Sequence, residues 1–205
     1  MQENNKKFTV LGLDLSLTST GIVVLDQSGE VLHHEVAGEE LVKATPSQKQ
    51  KRVRKIASRV MLVQAKYNPK RVVIEDYGYS TMKGGTSSIT QLAELCGVIK
   101  MFLHMKGVDP VVMSASQARK ITLGTGVGVT SAERRKKMTV KDKVAVMVVS
   151  QYGKKFEIND ETDAFVLAEA GRKILAGEPL PVDVMESLYK SRERKPKKRK
   201  VKRGK

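Results

Sequence analysis

Four acidic residues stand where acids are seldom placed. Asp14 ends a segment, FTVLGLD (8–14), that is apolar on both faces, as a central strand is. Glu75 ends a second such segment, RVVIE (71–75). Asp160 and Asp163 are three residues apart at a helix start and so share one face. That face continues through Ala164, Leu167, Gly171 and Ile174, small or apolar residues suited to packing on a sheet, and it directs Asp163 inward. If the two strands are parallel neighbours, their carboxyl ends lie ~4.8 Å apart, where open α/β sheets bind ligands. A helix N-terminus eases one carboxylate, not four. Uncompensated, the cluster would take up protons or destabilise the fold, and divalent cations are its natural counter-charge. Two such ions ~3.5–4 Å apart can activate a water, steady a leaving oxygen and neutralise charge during in-line attack on a phosphodiester. Each acid alone has a plainer reading: Asp160 as an N-cap, Asp14 in an Asx turn, Glu75 paired with a lysine. Four acids brought to one spot in a basic protein argue for the chemistry.

The rest of the composition narrows the metal and the partner. Cys96 is the only cysteine and there are three histidines, so a multi-cysteine zinc site is excluded and the ligands are oxygens, which suit Mg²⁺ or Mn²⁺. The chain has 205 residues, 40% of them hydrophobic, enough for one domain with a buried core. No apolar run approaches the ~20 residues of a membrane span, and MQENNKK lacks the apolar core of a secretion signal. A cytoplasmic location, in a bacterial or phage-infected cell, is expected. The net charge is +16; residues 187–205 hold eleven Lys/Arg and one Glu, leaving +6 on residues 1–186. The body is therefore basic as well as the tail, and nucleic acid is the expected partner. The tail string PKKRKV (196–201) looks like a nuclear import signal, but lysine-rich tails generate such strings readily and phosphate binding is the better reading.

The elements that must position these residues follow from patterning. TGIVVLD (20–26) and EVLHHEV (30–36) read as strands joined through Gln27-Ser28-Gly29, so the sheet starts with three antiparallel strands. Thr45-Pro46-Ser47-Gln48 opens a helix with a capping box and Pro at its first position. Val53, Ile56, Ala57, Val60 and Met61 form its buried stripe, with Lys49, Lys51, Arg52, Lys55 and Arg59 around the rest. After the 71–75 strand and a glycine-rich loop (76–87), a helix covers about 88–106, with Ser88 and Gln91 as a second capping box. It carries two apolar stripes. Ile89, Leu92, Ala93, Cys96, Ile99 and Leu103 fit a sheet; Leu95, Val98, Phe102 and Met105 suggest a partner surface. A short strand (111–113), a short helix from Ser114 to about Leu123, a flexible basic loop (124–138), a helix over 139–152 and a last helix from near Asp160 to Gly177 complete the chain. The order implies an α/β layered domain with a mixed sheet. The divisions expected are an N-terminal extension (1–7), a nuclease domain (8–180) and a basic tail (181–205).

VLGLDLSLTSTGIVVLD, VVIEDYGY, SASQARKITLGTG, KDKVAVMV and NDETDAFVLAEA occur in the order and approximate spacing of RuvC-type Holliday-junction resolvases, and over roughly residues 8–177 the chain resembles that family. The resemblance implies the RNase H-like (retroviral integrase) fold with a five-stranded mixed sheet. It implies a homodimeric, Mg²⁺-dependent endonuclease of DNA recombination and repair that makes paired nicks in four-way junctions, with two ions per active site. The family's catalytic acids fall on Asp14, Glu75, Asp160 and Asp163, with Asp14 between the ions and the other three completing their shells. The helix after the glutamate strand helps form the family's dimer, in agreement with the second stripe on 88–106. Arg119 or Lys120 and Lys141 fall where the family has catalytic or DNA-contacting lysines, with Lys143 a neighbouring candidate and Lys141 the one to stabilise phosphorane charge. The family's junction-stacking aromatic aligns with Gly78, between Tyr77 and Tyr79, which become its candidates. Two departures, the basic insertion with Arg134, Arg135, Lys136 and Lys137 and the tail, extend DNA contact and fit a phage or other viral resolvase.

Three other functions were open to this sequence. GLDLSLTSTGIVVLD also resembles the first phosphate loop of actin/Hsp70-like ATPases, but that fold needs a second, similar half. A non-catalytic junction-binding protein would be expected to lack an acid, and none is missing. A nuclease of the same superfamily acting on forks, flaps or RNA–DNA hybrids shares the acids, which fix the chemistry and not the DNA shape.

Overall fold

The computed structural model describes residues 7–76, 86–124 and 127–185. Tyr77, Tyr79 and the tail from residue 186 lie outside the described residues.

The sheet has five strands. β1 (Thr9–Asp14), β2 (Thr20–Asp26) and β3 (Val31–Ala37) are antiparallel neighbours, while β4 (Arg71–Glu75) and β5 (Val111–Met113) continue parallel to β1, in the order β3-β2-β1-β4-β5. The β2–β3 turn closes because Asp26 Oδ1 accepts from the Ser28 and Glu30 amides and Gly29 takes φ +89°. The pleat then divides the side chains. Leu11, Leu13, Ile22, Val24, Val72 and Ile74 face α1 (Pro46–Tyr67) and α2 (Thr86–Met105). Val10, Val23, Leu25 and Val73 face α6 (Asn159–Ala176), which is backed by α3 (Ala115–Leu123) and α5 (Val140–Tyr152). Asp14 and Glu75, two residues beyond Gly12 and Val73, belong by strand alternation to the α6 face.

Several local expectations change. α6 is buried on every side from Glu161 to Gly171, since α3 and α5 cover what the sheet leaves open; one sheet-facing stripe accounts for less than half of that. Its cap residue is Ile158 with no side-chain cap bond, so Asp160 lies inside the first turn and is not an N-cap. α2 is already helical at Thr86, and Gln91 Oε1 accepts from Arg52 Nη2 at 2.9 Å, so the helix does not start at a Ser88–Gln91 box. Leu95 is fully buried in the core, while Met101, Phe102 and Met105 stay exposed. The stretch read as a flexible loop contains α4 (Ser131–Arg135), started by a Thr130–Glu133 capping box. The Thr45–Gln48, Ser114–Gln117 and Thr139–Asp142 boxes also cap their helices. Beyond residue 180, Val184 is buried in the α6-side core. No helix among the described residues is long and apolar enough to cross a membrane.

Candidate active site

Two glycines bring the helix acids to the strand acids. A Cβ at Gly12 would meet the Ala164 carbonyl oxygen at 2.1 Å, and one at Gly21 would meet the Asp160 carbonyl oxygen at 2.0 Å. Only hydrogen at these positions lets the first turns of α6 lie directly on β1 and β2. Gly21 is the register partner of Asp14, so the start of α6 is laid over the carboxyl end of β1. The parallel pairing of β1 and β4 brings Glu75 to the same end. On the far side of the turn, buried Glu161 Oε1 is hydrogen-bonded to His34 Nδ1 at 2.8 Å and ties α6 to β3. Neither the glycines nor Glu161 is marked by residue type alone.

The acids are arranged as two pairs. The Asp14 and Glu75 carboxyls lie close enough at the ends of their strands to act on each other directly. Burial, followed by repulsion from Glu75 and Asp163, holds the Asp14 carboxyl well above the usual range. Burial also pushes Glu75 up. On α6, Lys141 Nζ lies 3.1 Å from Asp160 Oδ1 and 3.2 Å from Asp163 Oδ2. Despite partial burial, the negative charge of Asp163 and Asp160 raises the Lys141 ammonium well above its ordinary value. Arg119 Nη2 bonds the other Asp163 oxygen at 3.0 Å, and Arg119 Nε is buried without a hydrogen-bond partner.

Among the described residues no three His, Cys, Asp or Glu side chains are placed to hold one metal ion together. Lys141 occupies the space between Asp160 and Asp163. The donor set nevertheless fits a hard cation. Four carboxyls face two fixed cations, and the excess negative charge, with burial, holds the Asp14 carboxyl above its usual range. That is a site short of positive charge, with only oxygen ligands.

The predicted basic residues divide sharply. Lys141 and Arg119 are in contact with the acids. Lys120, one residue on, faces away and pairs with Asp183. Lys143 is bound to Glu133 and to the Gly128 carbonyl, bracing α4 and its preceding loop. Arg134 Nε donates to the Val129 carbonyl at 3.4 Å, within the same segment as Arg135. A helix explains the division: neighbouring residues point about 100° apart, so 119 and 120 cannot share a target.

The family model described as crossover junction endodeoxyribonuclease RuvC matches residues 10–169. Thermus thermophilus RuvC, solved in complex with a Holliday junction substrate, is 20% identical over 85% of this chain and 99% of that chain, with a TM-score of 0.60. A second Thermus thermophilus RuvC structure, with the same coverage of both chains, is 21% identical with a TM-score of 0.61. The yeast mitochondrial Holliday junction resolvase Ydc2 is 12% identical over 89% and 82% of the two chains, with a TM-score of 0.51. At these identities the likeness is one of fold. No curated protein sequence matches the chain.

Proposed function

The chain belongs to the crossover junction endodeoxyribonuclease RuvC family, and from that premise we propose that Asp14, Glu75, Asp160 and Asp163 hold two Mg²⁺ ions at which DNA strands of a four-way junction are hydrolysed. The observation that carries the reading is the seating of the α6 first turn on Gly21, the register partner of Asp14, with Asp14 buried and repelled by Glu75 and Asp163. When bound, such ions lower the pKa of water and neutralise charge on the phosphoryl group. The residues of the chain supply the rest. Asp14 and Glu75, both pushed towards the protonated form by burial, serve as ligands in their ionised form. Arg119 fixes the orientation of Asp163 through Oδ1 and acts as a positioning residue. Lys141, half exposed and already at the acids, is the ammonium that stabilises negative charge on the phosphate oxygens.

Paired nicks require two sites, and a two-fold dimer presents them to opposed strands. Its proposed contact is α2, where Met101, Phe102 and Met105 form an exposed apolar cluster near partly buried Val98. The test is Mn²⁺ binding by electron paramagnetic resonance, beside cleavage of junction, fork, flap and RNA–DNA substrates. Two Mn²⁺ per protomer and preference for the junction are expected. Unaltered Mn²⁺ binding after Asp14→Asn would overturn the ligand assignment.

A further inference from the structure

Between Glu40 and Glu75 the chain has ten lysines and arginines and no aspartate or glutamate. This stretch matches the whole tail in net positive charge, yet most of it is one folded helix. α1 has no acid in its first turn, where the helix dipole favours one, and Lys49 follows directly. Lys51, Arg54 and Lys55 are exposed at i, i+3 and i+4, so three like charges repel one another on one face. Lys55 has Glu39 at 3.5 Å, and Arg59 is held by Glu35. Among the described residues no ion pair engages Lys51 or Arg54.

The place of this surplus in the molecule supplies a reason. The C-terminal end of α1 sits at the amino end of β1, where the Thr9 hydroxyl donates to the Tyr67 carbonyl. With 22 residues the helix is ~33 Å long, against ~20 Å for six-residue β1. Its N-terminal half therefore reaches the carboxyl end of the sheet, and Arg52 there bonds Gln91 near the start of α2. The basic ridge lies at the same end as Asp14 and Glu75 but on the opposite face of the sheet.

We propose that the N-terminal half of α1, through Lys51, Arg54 and Lys55, is a second DNA-backbone contact, holding a duplex arm that leaves the active site. The proposal rests on the endonuclease reading. Cations ~6 Å apart along an acid-free helix suit successive phosphates. A bilayer is the poorer occupant, because the apolar stripe of α1 (Val53, Ile56, Ala57, Val60) is consumed by the core and leaves no face to insert.

The experiment compares the full chain with a Lys51→Gln/Arg54→Gln/Lys55→Gln variant, measuring affinity for a synthetic four-way junction against KCl in EDTA. Three lost phosphate contacts make the log–log salt slope shallower by ~2.7, so between 50 and 200 mM the unaltered chain loses about 40-fold more affinity than the variant. A Lys66→Gln/Lys70→Gln/Lys106→Gln control, removing exposed cations near the other end of α1 and α2, should keep the original slope. An unchanged slope in the first variant, or an equal change in both, would overturn the proposal. So would loss of binding to phosphatidylserine vesicles with the DNA slope intact, which would assign the ridge to a membrane. Single-turnover cleavage in Mg²⁺ at saturating protein should be the same for variant and unaltered chain. If the unaltered chain failed to cleave, the endonuclease reading would fall, while the EDTA slopes would still decide the ridge.

Discussion

Gly21 is packed so tightly against Asp160 that a Cβ would fall 2.0 Å from the Asp160 carbonyl oxygen and 2.5 Å from its carbonyl carbon. Backbone on both sides leaves no flexible atom to yield. The distance between the strand acids and the helix acids is therefore set by a residue with no chemistry of its own.

Gly21→Ala should lift the first turn of α6, cost ~1–3 kcal/mol of stability through overpacking and reduce junction cleavage at least tenfold. Gly97→Ala is the contrast: nothing stands within 4 Å of its Cβ, and alanine in a helix interior gains up to ~1 kcal/mol. Thermal melts with parallel cleavage rates check both. Equal behaviour of the two variants would contradict the packing argument.

Asp14→Asn should abolish cleavage and leave junction binding in place. It should also raise the stability of the metal-free protein at neutral pH. Burial raises the pKa of the folded Asp14 carboxyl, so the native state holds its proton more tightly than the unfolded chain, which releases it near the ordinary value of 3.8. Stability from this group is complete below that value and is lost as pH rises through the folded pKa. Melting temperatures of the metal-free protein from pH 4 to 8 should fall more steeply for the unaltered chain than for the asparagine variant, and Mg²⁺ should flatten the difference.

Lys141→Ala removes an ammonium that both neutralises Asp160 and Asp163 and competes with a metal for them. Mn²⁺ affinity should rise while kcat drops by ~10²–10³-fold, in the range found when a transition-state charge stabiliser is lost. A merely structural lysine would not separate the two readouts.

Phe102→Asp on the exposed stripe of α2 should shift the protein from dimer to monomer in light scattering, with little change in melting temperature of the monomer fold. Phe102 is 37% exposed and lies outside both core clusters.

Cys96 is 1% exposed, and burial pushes its thiol up to about 11. It should resist a disulfide reagent at pH 8 until denaturant opens the core. Fast native labelling would show that α2 separates from α1 and the sheet.

Periodicity and caps made much of this fold readable in advance. Strands apolar on both faces marked β1 and β4, and their acidic ends pointed to one sheet edge. The Thr45–Gln48 box placed the start of α1 closely. What patterning could not show was depth behind α6: a helix covered by both a sheet and two other helices looks, in one dimension, like any apolar helix with scattered polar residues. Buried Glu169 beside Arg172 illustrates this, since the pair is satisfied internally, at 2.7 Å, and gives no periodic signal. The choice between Arg119 and Lys120 likewise needed the rotation of α3 about its axis, which Ala118 and Ile121 settle by entering the core. Sequence order gave no hint that Lys143 would be spent on Glu133.

The enclosure of α6 has a mechanical side. The segment that carries Asp160 and Asp163 runs directly into a stretch buried on every side, so a change in a packing residue of the sheet, α3 or α5 is passed on to the acids with little slack.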